Sequence, residues 1–192
     1  FEKMNVLSLF DGISCGMVAL ERANIKVDKY YSSEVDKYAI AISEKNYLDI
    51  IRLGDVTKWK DWDIDWSSID LLIGGSPCQG FSLAGKQLNF KDERSKLFFE
   101  YVEILEHIKE QNPKMLFLLE NVRMKKEYRD VITRFLKVEP ILINSSLVSA
   151  QDRKRLYWTN IKGVEQPQDR GILLKDIVHE YKDLKYMLTD SQ

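Results

Sequence analysis

"MNVLSLFDGISCGMVAL", residues 4–20, changes character halfway along. Met4–Phe10 is a short apolar run that reads as a strand, and Ser14–Ala23 reads as the helix after it. Between them Gly12 and Gly16 let the backbone turn tightly and bring a ligand close to the start of that helix. A strand, a glycine-bearing turn and a helix form the opening unit of a parallel α/β sheet. The glycines do not follow G-x-G-x-x-G, which argues against a pyrophosphate ligand.

The same alternation continues outward. Val27–Ser33 reads as a second strand, about Asp36–Lys45 as a helix, Tyr47–Gly54 as containing a short third strand, and Ile69–Gly74 as a fourth. Arg94–Glu110 is the longest helical pattern, with Leu97, Tyr101, Ile104, Leu105 and Ile108 on one face, and Pro113 ends it. Lys114–Glu120 is a nearly continuous apolar run, as expected of a strand buried on both faces. A helix over about Glu127–Lys137, a β-rich stretch over Ile141–Val148 and a strand near Leu156–Ile161 complete the pattern. The prediction is an α/β fold, a mostly parallel sheet with helices on both faces and ligands beyond the carboxyl ends of its strands. Residues 4–161 form the expected cofactor-binding and catalytic domain, and 162–192, opening with "KGVEQPQDRG", read as a linker.

Bulk properties narrow the function. With 192 residues, 44% hydrophobic and 31% charged, the chain suits one globular domain. A net charge of −1 leaves any nucleic-acid binding to a local patch. Two cysteines make no disulfide framework, and two histidines leave few zinc ligands, so no metal is expected and a reducing intracellular compartment is. No apolar run approaches the ~20 residues of a membrane span, and no charged-then-apolar signal segment opens the chain, so no membrane association is expected.

Candidate functional residues sit at the expected strand ends. Glu34 closes the second strand about where a doubly wound fold places the acid that holds a ribose, and Asp55 follows the third, where a carboxylate can accept from an exocyclic amine. With the two glycines they point to an adenosine-bearing cofactor; the alternative is tight turns with solvated carboxylates. The fourth strand leads into "GGSPCQGFS", displaying Cys78 either as a thiolate activated by loop amides and nearby cations or as an incidental turn residue. Glu120 ends the fifth strand in "LLENV", either as a desolvated carboxyl that holds a proton near neutrality or as a helix N-terminal acid. In "QDRKRLYW", Arg153 and Arg155 share a face if the stretch is extended, as a solvated edge or as a fork for a carbonyl, carboxylate or phosphate. "RMKKEYR" (123–129) is a second basic stretch, either solvated helix surface or a nucleic-acid patch. Cys15 reads as a small buried residue, and His107 as a surface or helix-edge position.

Taken in order, "FDGISCG", "GGSPCQGFS", "LLENV" and "QDRKRLYW" closely resemble the cytosine-5 DNA methyltransferase family, most of all the branch with the animal de novo enzymes and their phage or bacterial relatives. The resemblance spans roughly Asn5–Ile161. It implies a Rossmann-like fold that binds S-adenosylmethionine and releases S-adenosylhomocysteine. It would set Phe10, Asp11, Gly12 and Gly16 around the methionine and sulfonium end, Glu34 on the ribose, Asp55 and Val56 at the adenine, and Leu97 against the cofactor. Cys78 would be the nucleophile, Glu120 the acid gripping the cytosine, and Arg153 and Arg155 the paired arginines. Double-stranded DNA is the implied substrate, and the cytoplasm of a bacterium or a phage-infected host the implied compartment, or the nucleus in a eukaryote.

Family members carry a target-recognition region after the arginine motif and a final segment that completes the cofactor pocket. Neither is legible by Gln192, so the expectation is a truncated chain, or one whose remainder lies in a second chain. Three rivals remain at this level: an RNA cytosine-5 methyltransferase of the same fold, a non-catalytic accessory homologue, and a nucleotide-cofactor oxidoreductase. The last leaves Cys78, Glu120 and the arginine pair without a role.

Overall fold

Strand β1 (Met4–Leu9) sends alternate side chains to two opposite layers, and both are dry. Leu7 and Leu9 join one apolar cluster, Met4 and Val6 the other. Burial on both faces is why Val6, Leu7 and Leu9 do not alternate with exposed polar residues, and why Ser8 is itself buried. The computed structural model describes residues 3–77 and 93–178.

After β1 come α1 (Cys15–Arg22), β2 (Val27–Ser33), α2 (Lys37–Asn46) and the two-residue β3 (Ile51–Arg52). A 3₁₀ segment over Val56–Asp61, kinked at Lys58, and a 3₁₀ turn over Trp66–Ser68 lead to β4 (Leu71–Gly74). Then follow α3 (Glu93–Gln111), β5 (Leu116–Val122), α4 (Lys126–Leu136), β6 (Ile141–Asn144) and β7 (Lys154–Thr159). The described residues form one seven-stranded sheet in the order β3-β2-β1-β4-β5-β7-β6. Every pairing is parallel except those made by β7, which is antiparallel to both β5 and β6. The mostly parallel α/β sheet expected from the sequence is what the structure contains. Strand order reverses between β1 and β4, and such switch points are where open α/β sheets bind ligands.

One layer is built by α3 and α4. Phe98, Tyr101, Ile104, Leu105 and Ile108 of α3, and Ile132 and Leu136 of α4, meet Leu72, Phe117, Leu119 and Trp158 of the sheet. On the other face Leu20 and Met17 of α1 pack on Val6, Tyr30, Leu71 and Ile73. Gly16 allows this approach: a Cβ there would lie 2.3 Å from Ile73 Cδ1 and 2.7 Å from the Tyr30 hydroxyl.

Element ends differ from expectation for local reasons. β4 begins at Leu71 rather than Ile69 because Ile69 donates its amide to Trp66, closing the preceding 3₁₀ turn. β6 stops at Asn144, not Val148, where the Asn144 side chain accepts from the Ser146 amide and starts another turn. β7 ends at Thr159 because the Asn160 side chain takes over the ladder, accepting from Phe117 N–H at 2.8 Å and donating to Met115 C=O at 3.0 Å. Residues 162–178 contain one 3₁₀ turn, Leu174–Asp176, and are tied back to the domain by Gln166 on Leu142 and Arg170 on Leu147. No described helix is long and apolar enough to cross a membrane.

Candidate active site

The turn from β1 to α1 is held in an uncommon shape. Phe10, Gly12 and Ser14 have φ of 57°, 57° and 64°. Glycine adopts that region freely, whereas the two L-residues cost about 1–2 kcal/mol each. Asp11 explains how the turn persists. Its buried carboxylate accepts four hydroxyl hydrogen bonds: at Oδ1 from Ser8 (2.6 Å) and Tyr30 (2.7 Å), and at Oδ2 from Ser14 (2.6 Å) and Ser32 (2.8 Å). Bonds to a charged acceptor contribute about 1.5–3 kcal/mol each, enough to offset the strain. Strand register supplies the donors, because Val6 pairs with Tyr30 and Ser8 with Ser32, putting all three hydroxyls on one face. Burial, and next the Asp11 charge, push the Tyr30 phenol far above its ordinary value, so it stays a donor.

Glu34 faces the same turn. It accepts from Gly12 N–H at 2.7 Å with Oε2, and from the Val35 and Asp36 amides at 2.8 and 2.9 Å with Oε1. Asp55 begins the Val56–Asp61 turn. The Thr57 amide, and next its hydroxyl, both at 2.9 Å on Oδ1, hold the Asp55 carboxyl below the usual carboxylate range.

Two clefts meet at Phe10. The first gathers Phe10, Glu34, Asp55, Val56 and Leu97, five of the residues expected around a cofactor, and adds Ser33 and Val35. The second runs from Phe10, Asp11 and Gly16 past Ile73 and Gly75 to Glu120, over the β1–β4 switch point. A separate cavity of about 290 Å³ between α1, the start of β2 and the end of α2 contains none of the expected residues. The first cleft has apolar walls from Phe10, Val56 and Leu97 and two carboxylates able to accept from hydroxyl or amine donors. The second reaches the start of α1, which no side chain caps because the Ser14 hydroxyl goes to Asp11 instead. Uncapped first-turn amides suit an anionic ligand group. Cys15 lines this cleft and is exposed, which corrects its expected burial: it is the first residue of α1, on the outer side of the turn. His107 is half-buried, its ring 5.3 Å from Trp59 and 5.0 Å from Trp66, so it belongs to an aromatic cluster rather than to the surface.

At the far end of the second cleft, Arg155 Nε lies 3.0 Å from Glu120 Oε1, both side chains half-buried. Antiparallel register does this, since Glu120 is paired with Tyr157 and Arg155 stands two residues earlier on the same face of β7. Burial, followed by the Glu120 charge, pushes the Tyr157 phenol up. Arg153 precedes β7 and is exposed, and its backbone amide donates to Asn144 Oδ1 at 3.0 Å; its charge and that of Arg155 both act on Tyr157. A Cβ on Gly75 would lie 3.3 Å from Glu120 Oε2, and buried Asn121 donates to Ser76 C=O at 3.1 Å. The segment entering the Pro-Cys loop is therefore fastened to the Glu-Asn end of β5. Cys78 itself lies outside the described residues.

Ser8, Tyr30, Ser32, Ser33, Val35 and Asn121 are the participants that sequence reasoning missed. Only Asn121, an amide directly after the strand-end acid, and Val35, an apolar residue directly after Glu34, carried a local signal. In the 123–129 stretch Asp130 takes ion pairs from Lys126 and Arg129, so part of its positive charge is neutralised within α4. The described residues contain no cluster of three or more side chains fit to hold a metal ion.

Comparisons with known proteins agree with this geometry. The family model described as C-5 cytosine-specific DNA methylase matches residues 4–191. The orphan methyltransferase M.SPRI of Bacillus phage SPR is 36% identical over 179 residues, covering 83% of this chain and 38% of that protein. The type II methyltransferase M1.ScrFI of Lactococcus lactis subsp. cremoris is 44% identical over 126 residues, 66% of this chain and 30% of that one. For M.NlaX of Neisseria lactamica the figures are 32% over 202 residues, 96% and 63%. The chain thus spans between 30% and 63% of the length of these relatives. Among solved structures, the Dnmt2 methyltransferase of S. pombe superposes with a TM-score of 0.71 at 22% identity, covering 98% of this chain and 65% of that one. A mutant of Spodoptera frugiperda DNMT2 gives 0.68 at 21%, with 95% and 62% covered. At that identity the superposition speaks for the fold.

Proposed function

On the premise that this chain belongs to the C-5 cytosine-specific DNA methylase family, we propose that it carries the catalytic half of an enzyme that methylates carbon 5 of cytosine in double-stranded DNA. The observation that carries this reading is the pair of clefts that meet at Phe10, an apolar end bearing the carboxylates of Glu34 and Asp55 and a polar end at Glu120 and Arg155.

S-adenosylmethionine, when bound, supplies an electrophilic methyl group. Glu34 would hold the ribose hydroxyls, Asp55 and Val56 the adenine, Leu97 and Phe10 the apolar surfaces, and Gly12 and Gly16 the methionine end. The target base must leave the helix stack, at a cost of a few kcal/mol. The Cys78 thiolate adds to carbon 6, and the electron pair of the 5,6 double bond moves to carbon 5, making it the nucleophile that the bound cofactor would methylate, with S-adenosylhomocysteine as the leaving group. Glu120, protonated, donates to ring nitrogen 3 and Arg153 stabilises the charge on the 2-carbonyl oxygen, while Arg155 braces Glu120. Loss of the carbon 5 proton to a base, with water sufficing, returns the electron pair and expels Cys78. Phage and bacterial relatives include orphan and type II methyltransferases, and self-protection or restriction-linked modification is the corresponding role for this chain.

Covalent trapping tests the reading. The protein is incubated with S-adenosylmethionine and a duplex carrying 5-fluorocytosine, whose fluorine blocks the last elimination. A denaturant-resistant adduct that disappears in Cys78→Ser is the expected result. No adduct, either with this chain or with a longer form that adds the recognition region, overturns it. A parallel transfer RNA substrate in the same experiment tests the RNA methyltransferase alternative that the sequence resemblance leaves open.

A further inference from the structure

We propose that Asp11 is a positioning residue rather than a cofactor ligand: its carboxylate, filled by the hydroxyls of Ser8, Ser14, Tyr30 and Ser32, fixes the left-handed turn that sets Phe10 and Gly12 against Glu34. This rests on the cofactor reading above. An ionised carboxylate offers about four acceptor sites, and here two hydroxyls occupy each oxygen. No acceptor capacity is left for a ligand donor, and an anionic side chain sealed by donors offers none of its own. What remains is control of the turn.

The geometry carries that control outward. Asp11 also bonds through its backbone, donating to Ser33 C=O at 3.2 Å and accepting from the Ser14 amide at 3.0 Å. The residues on either side of it, Phe10 and Gly12, are both left-handed; Phe10 is shared by the two clefts, and Gly12 donates to Glu34. Any loosening of the carboxylate therefore shifts the aromatic wall and the ribose acid relative to each other. The proton directions are also fixed. Asp11 only accepts, so the Ser14 proton points to it. Ser43, 2.5 Å from Ser14, must then donate to Ser14 and accept from Arg52, whose Nη2 is 3.1 Å away. A relay of two serines thus links the buried carboxylate to the cation at the end of β3, outside both clefts.

The test compares Asp11→Asn, Tyr30→Phe and a control, Tyr47→Phe, in the whole protein. Tyr47 donates to Glu21 at 2.8 Å near Tyr30 but takes no part in the hub. Affinity for S-adenosylhomocysteine is read by calorimetry, and exchange of the 10–16 amides by mass spectrometry. Asp11→Asn should weaken binding about thirtyfold and Tyr30→Phe about fivefold. Both should accelerate exchange at 10–16 and raise KM for the methyl donor more than they lower kcat, while Tyr47→Phe changes none of these. Folded Asp11→Asn and Tyr30→Phe proteins with wild-type exchange and affinity overturn the proposal. So does a loss in Tyr47→Phe that matches theirs. A wild-type protein that binds no S-adenosylhomocysteine sinks the cofactor reading instead, and exchange at 10–16 then decides the hub alone.

Discussion

Arg155 and Glu120 come from different strands, and each stabilises the other only because register brings them within 3.0 Å. Removing one partner of a half-buried pair leaves the other desolvated and uncompensated. Arg155→Met should lower kcat roughly thirtyfold, about 2 kcal/mol, with Arg155→Lys retaining part of the rate; a steady-state assay checks both. Asp55 gives a pH signature of the opposite kind. Its carboxyl is held below the usual range by Thr57, so the carboxylate we propose as acceptor for the adenine amine persists through that range and is lost only as pH falls through the lowered value. Cofactor affinity should be flat from pH 8 to about 5, whereas Thr57→Val, which removes one donor, should bring its decline to higher pH. Glu120, Arg155, Glu34 and Asp55 were legible as strand-end residues. The hydroxyls around Asp11 were not, because a serine on a strand looks the same whether it faces water or a buried carboxylate.

Among the elements, α1 and β5 have the tightest terms. Gly16→Ala places a methyl against Ile73 Cδ1 and the Tyr30 hydroxyl; the first can rotate aside, but the second is locked to Asp11. The expected cost is about 1–3 kcal/mol. Adding Ile73→Val should recover only part of it, as read from Tm. At the end of β5, Asn121→Ala leaves buried Ser76 without its amide donor, a loss of about 1–3 kcal/mol. Activity should fall further than stability, since that bond fastens the segment leading to Cys78. Elements were readable where periodicity was long, as over α3, whose face of Tyr101, Ile104, Leu105 and Ile108 is fully buried. Their ends were less so. Asn144 and Asn160 stop strands with their own side chains, and a single polar residue in a sequence does not announce that it will replace a ladder bond.

For the molecule as a whole, two apolar layers share one sheet, so neither can open without exposing the other. Trp158, fully buried and donating to Thr133 at 3.0 Å, lies in the larger layer at the seam between β7 and α4. Trp158→Ala should cost about 3–5 kcal/mol, a large share of the roughly 5–15 kcal/mol available to a domain. Fluorescence and circular dichroism should then report one shifted urea transition. The parallel order was legible from β-α-β alternation; the reversal of β7 was not, because direction leaves no mark on an apolar run. That reversal has an architectural consequence. A strand entering the sheet against the grain begins where its neighbour finishes, so residues 145–153 hang over the same rim as the outgoing turns of β1, β4 and β5. Extra length inserted there would raise that rim beside the Glu120 end of the second cleft while the pairing of Glu120 with Tyr157 kept the strands in register.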